Sequence, residues 1–219
     1  MHAEFLNPTN HLANQMIFHL ATIECVPGSV AAVLGALEKA LARRKAASLI
    51  GCWVAEVGLL NEIAVLRSFR SAEAMEAEPL GGAELRFPAD AATKVVAVQQ
   101  DAYASFPGIE PVVKGELGRF YEIRTYHLNE DPESLPASIA SWQAAVPDRI
   151  SLSPLVIVMH ALAEPKRIVH IWPYTSLDQR QAVRADALAK GWWPPRGSLQ
   201  WMKRAQTAIY VPAPFSPLQ

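Results

Sequence analysis

The chain of 219 residues repeats a set of structural landmarks at a fixed spacing. Four pairs of identical residues are separated by 105 positions, with no insertion or deletion between them. The pairs are Pro27 and Pro132, Ile63 and Ile168, Ser71 and Ser176, and Pro107 and Pro212. In each half these residues respectively precede a predicted helix, begin a predicted strand, cap a helix and follow the last strand. A period of this length indicates a duplicated domain rather than a solenoid of short repeats.

Both halves show the same order of hydrophobic patterns, in which alternation predicts strands and three- to four-residue spacing predicts helices. The first half is predicted to contain strands at 16–24, 49–57, 63–69 and 92–106, and helices at 28–45 and 72–78. The second half is predicted to contain strands at 120–128, 155–163, 167–172 and 199–210, and helices at 132–146 and 177–190. Pro173 is expected to end its strand, and segments 79–90 and 192–197 are expected to be irregular because they are rich in glycine and proline.

The order β-α-β-β-α-β predicts a ferredoxin-like fold of the α+β class in each half. Such a sheet carries helices on one face, and its other face needs a cover. We therefore expect two repeats, at 15–107 and 118–218, to pack sheet to sheet as a dimeric-type α+β barrel within one chain. Two separate domains on a tether are the disfavoured alternative, because the linker at 107–114 is short.

Composition limits the partners and the location of the chain. It is 51% hydrophobic with a net charge of −1 and no basic stripe, so a nucleic-acid partner is not expected. Neither a transmembrane segment nor a signal peptide is apparent, and Cys25 and Cys52 lack metal-site spacing, so a cytoplasmic protein with reduced thiols is expected. The aromatic residues around Trp192 and the proline-rich tail suggest a homodimer.

Three short stretches of the second half resemble a known family. Residues 170–180, HIWPYTSLDQR, are similar to an H-L-W-x-Y-x-S-L-x-x-R signature, residues 122–126, EIRTY, to E-L-R-T-Y, and residues 215–218 to F-S-P-L. These are signatures of the NIPSNAP family. In the first half, residues 51–62, GCWVAEVGLLNE, look like that family's G-x-W-x-x-E-x-G-x-L-N hairpin. The family's hairpin motif therefore lies in the first half of the chain, and its other signatures lie in the second half.

The resemblance implies a dimeric α+β barrel of undefined biochemistry. Small monooxygenases and haem-binding enzymes share this architecture, but an analogy of fold does not establish function. The first half departs from the pattern: at the spacing of 105, Arg124 corresponds to His19, His170 to Val65 and Trp172 to Arg67.

The strand at 120–128 places Glu122, Arg124 and Tyr126 on one face. A polar face on a central strand needs partners, because buried polar groups are costly when unpaired. One interpretation is a pocket in which Arg124 holds an anionic group. The favoured alternative is an internal network of Arg124 with Glu122, or with a facing Glu56, that stabilises the barrel.

His170 and Trp172 share a face of the next predicted hairpin, whose other strand carries His160. Two histidines could bind a metal ion or relay protons. No carboxylate or cysteine accompanies them, so no metal site is assigned and a satisfied barrel histidine is the favoured interpretation.

The predicted function is binding of a small, partly apolar ligand in a barrel pocket, and an oxygenase-like enzyme is a further option. The ligand site would comprise Glu122, Arg124, Tyr126, His160, His170 and Trp172. The alternative is a non-catalytic interaction or structural module with a filled barrel. The sequence names no cofactor and no substrate, and a cavity of a few hundred Å³ would favour the ligand-binding hypothesis.

Overall fold

A computed structural model describes residues 16–78 and 89–219 of the chain. The strands are β1 (Ile17–Cys25), β2 (Ser48–Val57), β3 (Glu62–Phe69), β4 (Val95–Ser105), β5 (Phe120–Leu128), β6 (Ile157–Ala161), β7 (Arg167–Tyr174) and β8 (Met202–Pro212). The helices are α1 (Val30–Ala42), α2 (Ala72–Glu76), α3 (Ala89–Ala92), α4 (Ser134–Ile150) and α5 (Leu177–Ala189), and a 3-10 helix spans Ser198–Trp201.

The eight strands form one closed barrel in the order β1-β3-β2-β8-β5-β7-β6-β4. Each half contributes four adjacent strands in the ferredoxin-like order, β4-β1-β3-β2 and β8-β5-β7-β6. Antiparallel pairs between β2 and β8 and between β4 and β6 join the two half-sheets. This arrangement confirms the predicted α+β barrel within one chain, while the repeat boundaries at 15–107 and 118–218 stay a prediction.

Alternate residues of the strands fill the middle of the barrel. The interior cluster is apolar and includes Phe18, Leu66, Tyr121 and Ile171. Trp53, from the first-half hairpin, lies with its ring 5.3 Å from the ring of Tyr121 on β5. The hairpin signature of the first half therefore packs against β5 of the second half, at the residue that precedes the EIRTY stretch.

The spacing between the halves is not constant, and the ungapped correspondence at 105 is wrong for three of the four strand pairs. β5 begins 103 residues after β1 and β8 begins 107 residues after β4, whereas β7 follows β3 by 105. Strand pairing agrees with this, because Ile17 pairs with Phe69 and Phe120 pairs with Tyr174. For β1 with β5 and for β4 with β8 the shift is two residues, and side chains alternate with period two, so the faces are preserved while the partners change. For β2 with β6 the pairing aligns Gly51 with Ile157, a spacing of 106, next to a register shift in β2. The structural counterpart of His19 is therefore Glu122 rather than Arg124.

Both predicted serine caps are present. The Ser71 and Ser176 hydroxyl groups accept hydrogen bonds from the backbone N–H groups of Ala74 and Gln179. Pro173, by contrast, does not end its strand, and β7 continues to Tyr174. The ladder between β6 and β7 ends at Ile171, so Pro173 lies where one side of β7 has no neighbouring strand.

Helix α4 extends four residues beyond the predicted end at 146 and includes Pro147. Its last turn is held by Arg149, which donates to Ser153 and Tyr174. The chain's last residues also pack within the chain, with Leu218 fully buried. The tail therefore gives no support to the homodimer, which stays a prediction. The predicted irregular segment at 79–90 lies mostly outside the described residues.

Candidate functional site

The predicted site residues lie on the outer, helix-covered face of the barrel, so the expectation that they line the barrel interior is wrong. On β5 the interior positions are Tyr121 and Ile123. Glu122, Arg124 and Tyr126 alternate with them and face α4 and α5. On β7, His170 and Trp172 face the same way, because Val169 and Ile171 occupy the interior. The period-two alternation groups the residues correctly, but it does not say which face is inside.

The Glu122 carboxylate is the centre of this outer site. It is 1% exposed, and its Oε1 accepts hydrogen bonds from the guanidinium groups of Arg180 and Arg184, the latter at 3.3 Å, and from the Thr207 hydroxyl at 2.9 Å. Arg124 Nε lies 2.9 Å from the same oxygen as an ion pair without hydrogen-bond alignment. One carboxylate is therefore the shared counter-charge of three arginines and leaves the cluster with net positive charge.

This cluster keeps Glu122 ionised. Burial alone would raise the pKa of Glu122, but hydrogen bonds and positive charge from Arg180 and Arg124 outweigh it and hold the pKa below its usual value of 4.5. Burial disfavours the charged form of Arg124, yet the neighbouring Tyr126 and Glu122 raise its pKa overall. The Arg124 guanidinium also donates to the Tyr126 hydroxyl at 3.0 Å.

A fourth arginine, Arg149 at the end of α4, is buried without a carboxylate partner among the described residues. Its guanidinium donates to Ser153 Oγ at 2.9 Å and to the Tyr174 hydroxyl at 3.3 Å. Its central carbon lies 4.1 Å from the ring centroid of Trp172, a cation–π contact. Its planar group is thus held in one orientation by neutral partners.

His170 supports Trp172 from behind. The indole Nε1–H of Trp172 donates to His170 Nδ1 at 2.7 Å, so the neutral ring carries its proton on Nε2. Complete burial, followed by the charges of Arg124 and Arg149, lowers the pKa of His170 well below 6.5. Aromatic rings surround it, those of Tyr126 and Trp142 at 4.7 Å. Its Nε2–H group is buried without a hydrogen-bond partner among the described residues, so His170 is not the fully satisfied barrel histidine that the sequence favoured, and it lies on the outer face of the barrel.

These groups enclose a pocket of about 120 Å³ between β5, β7 and α5, which we call the arginine pocket. Its polar lining comes from Glu122, Arg124, Arg149, Arg184 and Tyr174, and its apolar lining from Trp172, Leu188, Trp193 and Pro194. The lining contains three guanidinium groups and one carboxylate, so it carries an excess of positive charge.

His160 does not join this pocket. Its ring lies 6.2 Å from that of Phe106, and it pairs with Ile168 across the hairpin rather than with His170. Glu56 is exposed on β2 and does not face Arg124 as proposed. In the parts of the chain that the structure describes, no group of three His, Cys, Asp or Glu residues could hold a metal ion.

Several residues of the site were missed from the sequence, among them three arginines and Thr207. Arg180 and Arg184 are spaced to share one face of a helix, a signal that could have placed them opposite the β5 carboxylate. Arg149 and Thr207 had no such signal. They are distant from Glu122 in the sequence and come near it only in the folded chain.

Comparison with known proteins identifies the family of the chain. The family model of NIPSNAP matches residues 18–79 and 121–217. The chain belongs to the NIPSNAP family. Its NIPSNAP signatures contribute Glu122, Arg124, His170, Trp172 and Arg180 to the outer site. A curated relative, the protein NipSnap homolog of Dictyostelium discoideum, is 23% identical over 195 residues, which are 84% of this chain and 81% of the relative.

Solved structures show the same fold at low sequence identity. A candidate monooxygenase from Lactobacillus acidophilus superposes with a TM-score of 0.65 at 11% identity, over 90% of this chain and 94% of that one. An anthrone oxidase-like protein gives a TM-score of 0.63 at 10% identity, over 91% and 92% of the two chains. These likenesses establish the architecture and leave the chemistry of this NIPSNAP barrel to its own residues. None of its described helices has the length and apolar character needed to span a membrane.

Proposed function

We propose that the chain binds a small, partly apolar anion, such as a short carboxylate, in the pocket between β5, β7 and α5. The observation that carries this proposal is the charge imbalance of the pocket, in which Arg124, Arg149 and Arg184 face the single carboxylate of Glu122. Guanidinium groups held in a fixed plane are well suited to a carboxylate, which they can bind with two parallel hydrogen bonds.

Arg149 is the residue we assign to ligand contact. A guanidinium group has five N–H donors, and those of Arg149 that are satisfied go to neutral hydroxyl groups. A buried cation without a counter-charge is costly, so a ligand carboxylate would gain more here than beside Arg180, which already contacts Glu122. Trp172, Leu188, Trp193 and Pro194 supply the surface for a short apolar tail.

The test is calorimetric titration with butyrate, its neutral match butyramide, and inorganic phosphate. We expect butyrate to bind in the millimolar range or more tightly and butyramide to bind at least about tenfold more weakly, because a hydrogen bond to a charged group exceeds one to a neutral group. If phosphate binds and butyrate does not, the ligand group is a phosphate rather than a carboxylate, and the proposed apolar tail is rejected.

The matched variants are Arg149→Met and Arg70→Met. Methionine retains the apolar stack on Trp172, and Arg149 has no carboxylate partner among the described residues that its loss would leave unpaired, so Arg149→Met should fold and lose butyrate binding. Arg70 is exposed in the first half, and its variant should bind as wild type does. Unchanged binding in Arg149→Met, or no binding of either anion at millimolar concentration, would refute the proposal.

A further inference from the structure

The barrel has two mouths related by the internal duplication, and they differ in charge. At one mouth, Arg167 on β7 donates to the Asp101 carboxylate on β4 at 2.7 Å, and the charges of both groups act on the pKa of Tyr103 on the same strand as Asp101. This arrangement, the Arg167 mouth, is neutralised by the chain's own residues.

The strand spacings identify the counterparts at the opposite mouth. Tyr210 and Ala208 on β8 lie 107 residues after Tyr103 and Asp101, and Glu62 on β3 lies 105 residues before Arg167. The tyrosine is retained, and its hydroxyl hydrogen-bonds the Glu62 carboxylate. Glu62 replaces the cation Arg167 by an anion, and Ala208 replaces the charged Asp101 by a methyl group. We call this end the Glu62 mouth.

The Glu62 mouth opens into a cavity of about 420 Å³, within the size range of small-molecule sites. Apolar side chains line its floor and neutral amides its walls, among them Leu20, Ile123, Gln99 and Gln206. Glu24 stands directly opposite Glu62 in the pairing of β1 with β3, which places a second negative charge at this end. Among the ion pairs of the described residues, none involves Glu62 or Glu24.

We propose that the Glu62 mouth is a second ligand site, separate from the arginine pocket, and that it binds a small organic cation, a protonated amine carrying an apolar group. The ammonium group would lie beside Glu62, in the space next to Ala208. This space corresponds to that of the Asp101 carboxylate at the Arg167 mouth. The apolar group would lie on Leu20 and Ile123. Burial raises the pKa of Glu62, the Tyr210 hydrogen bond opposes this rise and Glu24 adds to it, as expected for a carboxylate that lacks a counter-charge.

The experiment titrates the protein with 2-phenylethylammonium and with 2-phenylethanol, a neutral match of the same shape, at neutral pH. The ammonium compound should bind at least about tenfold more tightly than the alcohol, and Glu62→Gln should reduce its affinity by at least about tenfold, because the charge-assisted hydrogen bond is lost. Glutamine can still accept from Tyr210, which favours a folded variant. The control is Asp101→Asn at the Arg167 mouth, where binding should be unchanged.

A second variant tests the site without removing Glu62. Ala208→Lys would place a tethered ammonium group in the cavity, and it should raise the melting temperature and abolish binding of 2-phenylethylammonium. Three results would overturn the proposal: no binding at millimolar concentration, equal binding of the alcohol, or binding that persists in both Glu62→Gln and Ala208→Lys. Since butyrate binding at the arginine pocket is measured separately, either site can fail without the other.

Discussion

The indole N–H of Trp172 donates to Nδ1 of a fully buried, neutral His170. Because Trp172 also stacks on Arg149, the histidine fixes one wall of the arginine pocket without lining it. A protonated His170 could not accept this hydrogen bond, so the contact depends on the neutral ring.

The first prediction is a loss of stability as the pH falls below 6.5. Burial lowers the pKa of His170 and His160, and it lowers that of His19 to about 4. Between pH 6.5 and the lowered pKa of each histidine, the unfolded chain binds protons that the folded chain does not. The free energy of unfolding therefore decreases, as the pH falls, by up to about 1.4 kcal/mol per pH unit for each histidine. Urea unfolding between pH 7 and about pH 5 should show this slope.

His170→Gln should make that slope shallower by the share of one histidine, since glutamine retains an acceptor for Trp172 and does not titrate. An unchanged slope would mean that His170 is protonated in the folded protein, and the assigned hydrogen bond to Trp172 would be wrong.

The second prediction concerns Glu122 and the arginines around it. Glu122→Gln should destabilise the protein by about 3 kcal/mol, because it leaves the partly buried guanidinium groups of Arg124 and Arg180 without a counter-charge. Arg184→Met should cost less than about 1 kcal/mol, since the Arg184 side chain is 43% exposed and Glu122 keeps its other partners. Urea unfolding at neutral pH compares the two variants, and equal effects would contradict the central role of the carboxylate.

The same residues show how far the sequence leads. The faces of β5 and β7 follow from alternation alone, so the grouping of Glu122 with Arg124 and of His170 with Trp172 was predictable. Which face is covered by helices was not, because both faces of a barrel strand are buried and apolar residues occur on each. Arg149 reaches the site only through the path of α4 across the sheet, which local patterns do not encode.

The register of the duplication shows a related limit. A spacing of 105 matched the prolines and serines that punctuate the chain, and these mark element ends correctly. Strand pairing tolerates a shift of two residues without exchanging faces. The spacings of 103 for β1 with β5 and of 107 for β4 with β8 therefore leave the hydrophobic pattern of these strands intact, and a comparison at one constant spacing does not reveal them.

The third prediction uses the helix caps. Ser71→Ala and Ser176→Ala should each cost about 1 kcal/mol, because each hydroxyl group satisfies a backbone N–H in the first turn of its helix. The control is Ser29→Ala: Ser29 occupies the N-cap of α1 but makes no side-chain capping hydrogen bond, so its loss should cost a few tenths of a kcal/mol or less. Three equal effects would show that the hydroxyl groups of Ser71 and Ser176 contribute nothing beyond the backbone.

The fourth prediction explains the glycine in the first-half hairpin signature. A Cβ atom added at Gly51 would lie well inside van der Waals contact distance of the nearest atoms of the six-membered ring of Trp53. Trp53 is fully buried against Tyr121 of the other half and cannot move aside without disturbing the barrel interior. Gly51→Ala should therefore destabilise by about 3 kcal/mol or more, at the upper end of overpacking effects, and should change the environment of Trp53.

Gly35→Ala is the matched control, because nothing lies within 4 Å of its added Cβ and alanine favours the helix by up to about 1 kcal/mol. Urea unfolding followed by tryptophan fluorescence measures both variants. Equal stability in the two would mean that the contact between Trp53 and Tyr121 can be rearranged freely, and the hairpin glycine would then need a reason other than the packing of the two halves.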